Sequence, residues 1–149
     1  MAQTPAQFYR EAVRKGCLHY PNASQASPDF PSYLLHSYHQ LREKLQDALL
    51  GDAPAAELPS IRRDIAYMAV GLLAYGDVDM VEPILDGLPQ VPKGYLTEKI
   101  YHLLANSLSA LLPLPAAIRP LYAPETTRAW FQAHHQALQW DEEVGKYTL

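Results

Sequence analysis

"SIRRDIAYMAVGLLAYGDVDMVEPILDGLP", residues 60–89, decides how this chain folds. Ile61, Ile65, Met68 and Leu72 recur at helical spacing, while Tyr67, Val70, Leu73 and Ala74 fill the other faces. A helix apolar nearly all round belongs at the centre of a fold. It is expected to open at Pro59 or Ser60 and to run to Tyr75, stopped by Gly76. A short helix follows directly. In one reading Asp79 is its N-cap and Glu82 its N3 residue. Pro83 fits that poorly, because it lacks a backbone donor, and the alternative starts the helix at Pro83 itself. Gly87 ends it either way.

Working outward toward the N-terminus, residues Ser32 to Leu50 predict a helix stopped by Gly51. Thr4-Pro5-Ala6-Gln7 combines an N-cap threonine, proline at N1 and glutamine at N3, the capping-box arrangement. The helix it opens should reach Lys15, with Gly16 in the left-handed C′ position. Between these two helices, "HYPNASQASPDFP" (19–31) reads as a surface loop. Toward the C-terminus, Leu96, Ile100, Leu103, Leu104, Leu108 and Leu111 predict a helix over 95–112, ended by Pro113 and Pro115. "PAAIRPLY" (115–122) is at most two turns. Pro124-Glu125 opens a last helix over 125–143, and residues 144–149 are expected to fray.

No stretch alternates apolar and polar residues over five or more positions, so no strand is expected. The fold class is all-α: a single domain over 1–149, with six or seven helices arranged as helical hairpins. Residues 59–88 and 95–122 each pair a long helix with a short one, starting about 36 residues apart, between the periods of TPR and HEAT repeats. The signature residues of either repeat are missing. The arrangement is therefore either a HEAT/TPR-like stack or an irregular bundle.

Composition bounds what such a domain does. Hydrophobic residues make up 48% of the 149 and charged residues 19%, a globular balance. No apolar run approaches the roughly 18 residues that cross a bilayer, and the opening "MAQTPAQFYREAV" lacks a secretory pattern. A cytoplasmic, non-membrane protein is expected. Cys17 is the only cysteine, so no internal disulfide forms. It has no nucleophile signature, and the expected helix C-terminus beside it disfavours a thiolate.

The net charge of −4 is unevenly spread. Residues 51–92 hold seven Asp/Glu against two Lys/Arg, whereas 1–50 hold four against five and 93–149 five against five. No basic cluster exists to track a phosphate backbone, so direct nucleic-acid binding is not expected.

Three groups of residues are candidates for function. The first is acidic. If 79–88 is helical, Asp79, Glu82 and Asp86 share one side, Asp77 adjoins them, and Val81, Ile84, Leu85 and Leu88 lie opposite. Such a patch suits docking of a basic protein surface. Tyr75 and Tyr95 border it as aromatic anchors, and Tyr20, Tyr33, Tyr122 and Trp140 are further off-stripe aromatics. "DVDMVEPILDG" lacks the oxygen-ligand positions and internal glycine of a calcium loop.

The second group is His36, His39 and Glu43. They fall on the outward face of their helix, opposite Leu34, Tyr38, Leu41, Leu45, Ala48 and Leu49. Their spacing departs from the helical zinc signature H-E-x-x-H, so they read as surface. They are metal ligands only in an alternative reading. The third is His134, which shares a stripe with Thr127, Phe131 and Leu138 and is expected at the core.

No serine-hydrolase elbow, glycine-rich phosphate loop or Walker sequence is present. The expectation is a non-catalytic binding or inhibitor protein, without cofactor or metal. It would sequester a basic protein partner through Asp77, Asp79, Glu82 and Asp86, as a bacterial immunity protein does with a cationic toxin. The alternatives are a small metal-dependent or histidine-based hydrolase using His36, His39 and a further histidine, His102 or His134, and a homo-oligomeric helical scaffold such as a homodimer.

Overall fold

The computed structural model describes residues 3–17, 30–51, 57–89 and 98–149. Among them are six α-helices: α1 (Pro5–Cys17), α2 (Phe30–Leu49), α3 (Leu58–Ala74), α4 (Val81–Asp86), α5 (Lys99–Leu111) and α6 (Pro124–His134). The mostly helical class is as the periodicity indicates. α3 is the central element. Ile61 and every residue from Ile65 to Ala74 are buried, and α1, α2, α4 and α5 all pack against it. A repeat stack would let each hairpin touch only its neighbours. Four helices on one hub make the irregular bundle.

Local signals set most helix ends. Thr4 and Gln7 close the capping box reciprocally: the Gln7 amide donates to Thr4 Oγ1 at 3.2 Å, and the Thr4 amide donates to Gln7 Oε1 at 3.0 Å. Gly51 and Gly76 follow α2 and α3 with φ of +89° and +104°, the left-handed terminator geometry.

Gly16 is a correction. It lies inside α1 without a positive φ, and a Cβ there would sit 1.5 Å from the Tyr67 hydroxyl. That hydroxyl donates to the carbonyls of Val13 and Ala12 at 3.2 and 3.3 Å. Glycine is needed for space. The loop expected over 19–31 lies largely outside the described residues, but Phe30 and Pro31 already belong to α2, with Phe30 buried.

Two further corrections concern the acidic segment. Asp77, and not Asp79, caps it: its carboxylate accepts from the Asp79 amide at 3.2 Å and opens a 3₁₀ turn, Val78–Met80. The turn runs straight into α4, which places Pro83 third in that helix. The first four amides of a helix lack an i−4 partner, so proline costs little there.

The C-terminal region departs most from expectation. α6 ends at His134, and a 3₁₀ turn, His135–Ala137, follows in place of helix to 143. Residues 144–149 do not fray. Two strands form an antiparallel hairpin, β1 (Gln139–Asp141) and β2 (Lys146–Thr148), with Trp140 opposite Tyr147. Each strand has three residues, too few for an alternating pattern to register.

What holds the hairpin is one ring. Tyr147 is 1% exposed, packs on Trp140 at 4.8 Å and donates its hydroxyl to the Leu73 carbonyl at 3.0 Å. At the hairpin turn, the Gly145 carbonyl accepts from the Ala6 amide at 2.9 Å, satisfying one of the unpaired donors of α1.

Replacing Tyr147 by Ala should destabilise the fold by about 3–5 kcal/mol, as loss of a buried aromatic does. Tyr147→Phe should cost about 1 kcal/mol through the missing hydrogen bond. Burial holds the Tyr147 phenol well above the ordinary tyrosine range, so the folded state favours its neutral form. The stability this supplies is complete below pH about 10 and is lost as pH rises further. Urea titrations from pH 7 to 11 should show a smaller alkaline loss for Tyr147→Phe than for the parent chain.

Candidate functional site

The acidic segment forms one side of an antiparallel ladder. On α4 and the turn before it, Asp79, Glu82 and Asp86 share a ridge by helical spacing. On α6 and its 3₁₀ extension, Glu125, Arg128, Gln132 and His135 share another, at intervals of three and four. Arg128 sits at the centre. Its guanidinium donates to Glu82 through Nη1 and to Asp86 Oδ1 through Nη2 at 2.8 Å, and its Nε lies 3.4 Å from Glu125 Oε2. Gln132 donates to the second Glu82 oxygen at 3.5 Å. His135 Nε2 stands 3.1 Å from Asp79 Oδ1.

Asp79, Glu82 and Asp86 therefore do share a side, but that side faces α6 as well as solvent. The guanidinium side chain is 21% exposed, while Asp79, Glu125 and Asp86 remain 74%, 62% and 54% exposed. Three carboxylates, Glu82, Asp86 and Glu125, surround one permanent cation, and Asp79 extends the row to His135.

Burial dominates the acidities here. It raises the Asp77 carboxyl above its usual range, opposed by the hydrogen bond from the Asp79 amide. It raises Asp86 as well, opposed by the nearby Arg62 and Arg42 and reinforced by Glu125. Both groups favour the protonated form on folding, so their contribution to stability declines as pH rises through the carboxylate range.

Tyr75 is not a free anchor. The Arg10 guanidinium lies 4.3 Å from the centre of its ring. Arg10 also donates through Nε to the Ala74 carbonyl at 2.8 Å and through Nη2 to Glu142 at 2.8 Å, and Trp140 Nε1 donates to the same Glu142 oxygen at 2.7 Å. The Arg10 hydrogen bond holds the Glu142 carboxyl below its usual range. Tyr95, Tyr20 and Asp52 lie outside the described residues. Tyr33 is half-buried and stacked on Phe30, and Trp140 is half-buried against Tyr147.

The histidines are dispersed. His36 and His39 are exposed on α2 with Glu43. His102 lines a hollow of about 310 Å³ with Asn106, Ser109, Arg119 and Tyr122. His134, expected at the core, is half-buried, stacked on Trp130 at 4.5 Å with Nδ1 at 2.8 Å from the Trp130 carbonyl. Among the described residues, no three His, Cys, Asp or Glu side chains gather as metal ligands. No helix among them is long and apolar enough to cross a membrane. Compared with protein-family models, curated proteins and solved structures, the chain matches none.

Arg128 is the residue that sequence reasoning missed. Its signal was present in the E-x-x-R-x-x-x-Q-x-x-H ridge of 125–135, but nothing local says that this ridge meets α4. Arg128→Gln should lower stability at neutral pH by about 1–2 kcal/mol, because partly buried carboxylates lose their shared cation. Added salt should stabilise the variant by screening the remaining repulsion and slightly destabilise the parent. Denaturant midpoints at low and high salt read this reversal of sign.

Proposed function

We propose that this protein is a non-catalytic binding protein that engages a basic surface of a protein partner through the face built by α4 and α6. The observation that carries the reading is the unequal charge along the ladder: Glu82, Asp86 and Glu125 share one guanidinium, Arg128, and Asp79 adds a fourth carboxylate beside His135. Arg128 holds Glu82 and Asp86 in place without neutralising the group. A partner's lysine or arginine then meets carboxylates that are already oriented, which lowers the ordering cost of association. Exposed Asp79 and Glu125 extend the negative field into solvent, where it speeds encounter with a cationic surface. Neutralisation of a cationic protein toxin is one instance of such a pairing. Tyr75 is committed to Arg10, so the acids carry recognition and the Tyr75 ring supports the fold.

The test uses the full chain immobilised against host lysate at low salt, followed by kinetics with the purified retained protein. Asp79→Lys/Glu125→Lys leaves Glu82 and Asp86 on Arg128 and changes the two most exposed acids of the ladder. Association with a basic retained partner should slow by about tenfold or more at low ionic strength, with dissociation changed less. Equal association rates for parent and variant, or a partner whose contact surface is acidic, would reject the reading.

A further inference from the structure

Beside the ladder, on the flank of α4 that faces α2 and α3, Arg42 and Leu45 of α2, Arg62 and Ile65 of α3, and Pro83 and Asp86 of α4 line a cleft of about 360 Å³. We propose that this cleft binds a small organic monoanion, a carboxylate carried on an apolar body. Its walls are brought together by a close approach of α3 and α4. A Cβ on Gly87 would lie 2.4 Å from Ala66 Cβ and 3.1 Å from the Arg62 carbonyl, so glycine lets the end of α4 rest on the first half of α3. That approach sets Arg62 beside Asp86, while Arg42 reaches the same space from α2.

The cations here are disposed differently from Arg10, Arg14, Arg63 and Arg128, each of which has a carboxylate within ion-pair distance. Among the described residues, neither Arg42 nor Arg62 has one, and Arg42 rests against the Tyr38 ring at 5.8 Å. Both attract Asp86 through space, but the Asp86 carboxylate accepts its hydrogen bond from Arg128 of α6. Two planar guanidiniums from different helices therefore face a cleft holding one carboxylate already drawn away. Paired guanidiniums match the two oxygens of a carboxylate. Within the cleft two guanidiniums face one carboxylate, which favours an anion, and Glu43 in the adjoining hollow opposes a second negative charge.

Leu45, Ile65 and Pro83 supply apolar wall. A neighbouring hollow of about 580 Å³, lined by His39, Arg42, Glu43, Leu45, Gln46 and Leu49, shares Arg42 and Leu45 with the cleft and continues that wall to Leu49. The volume is in the range of small-molecule sites. His39 and Glu43, which open the question of a metal in the sequence, here border a ligand channel.

Three probes separate head group from body: octanoate, 1-octanol and acetate, titrated calorimetrically into the full chain at low ionic strength. Octanoate should bind saturably at one site, with acetate and octanol each at least about tenfold weaker, since each lacks one half of the recognition. Arg42→Gln/Arg62→Gln should weaken octanoate by a similar factor while keeping the parent's helical circular dichroism and a cooperative thermal transition, because both arginines are exposed. Absence of saturable octanoate binding at millimolar concentration, equal binding of octanol, or an unaffected double variant would each overturn the proposal. The acids tested above for partner binding are untouched in this variant, so the two readings fail independently.

Discussion

A stretch of helix with no polar face has to be surrounded, and α3 is such a stretch from Ile65 to Ala74. Its burial on all sides dictates that α1, α2, α4 and α5 each spend an apolar stripe on it. Burial also creates a polar debt at its end, where the last carbonyls of a helix lack intrahelical partners. The backbone amides of Tyr75, Gly76 and Asp77 and two distant side chains settle it. Tyr147 donates to the Leu73 carbonyl and Arg10 to that of Ala74. The C-terminal hairpin exists to deliver one of those donors, and the cation that delivers the other is itself fixed by Glu142 of the hairpin and by the face of Tyr75.

The charged surface follows from the same arrangement. α4 is only six residues long and cannot stand without tertiary support. Its apolar side, Val81, Ile84 and Leu85, is buried, which turns Glu82 and Asp86 to the rim. α6 then covers one flank with Arg128, and α2 and α3 bring Arg42 and Arg62 to the other. Asp86 stands between the two. The short helix thus separates a surface with excess carboxylate from a cleft with excess guanidinium, within a chain whose net charge is only −4.

What could be read from the chain beforehand was what depends on neighbours in sequence. The capping box at Thr4–Gln7, the left-handed stops at Gly51 and Gly76, and the all-round apolarity of 61–74 are local or periodic signals, and each appears in the fold as read. The co-planar ridge of Asp79, Glu82 and Asp86 was also legible, because helical spacing alone produces it. Its cover was not. Arg128 and Glu82 are 46 positions apart, and Tyr147 and Leu73 are 74 apart. Gly16 shows the same limit: its position suggested a backbone role, while the atom that requires it belongs to Tyr67 on another helix. Residues whose partners lie across the fold carry no mark of it in their own surroundings.

The tie between Tyr147 and α3 has a consequence for how the molecule is made. A ribosome releases α1, α2 and α3 long before it reaches residue 147, so the central helix emerges with its final turn still open. Hydrophobic collapse around it begins at once, but the closures made by Tyr147 and Glu142 wait for the hairpin. A nascent chain stalled before the hairpin would present the Leu73 end of its core to the surrounding quality-control machinery, and synthesis of the hairpin is what hides it.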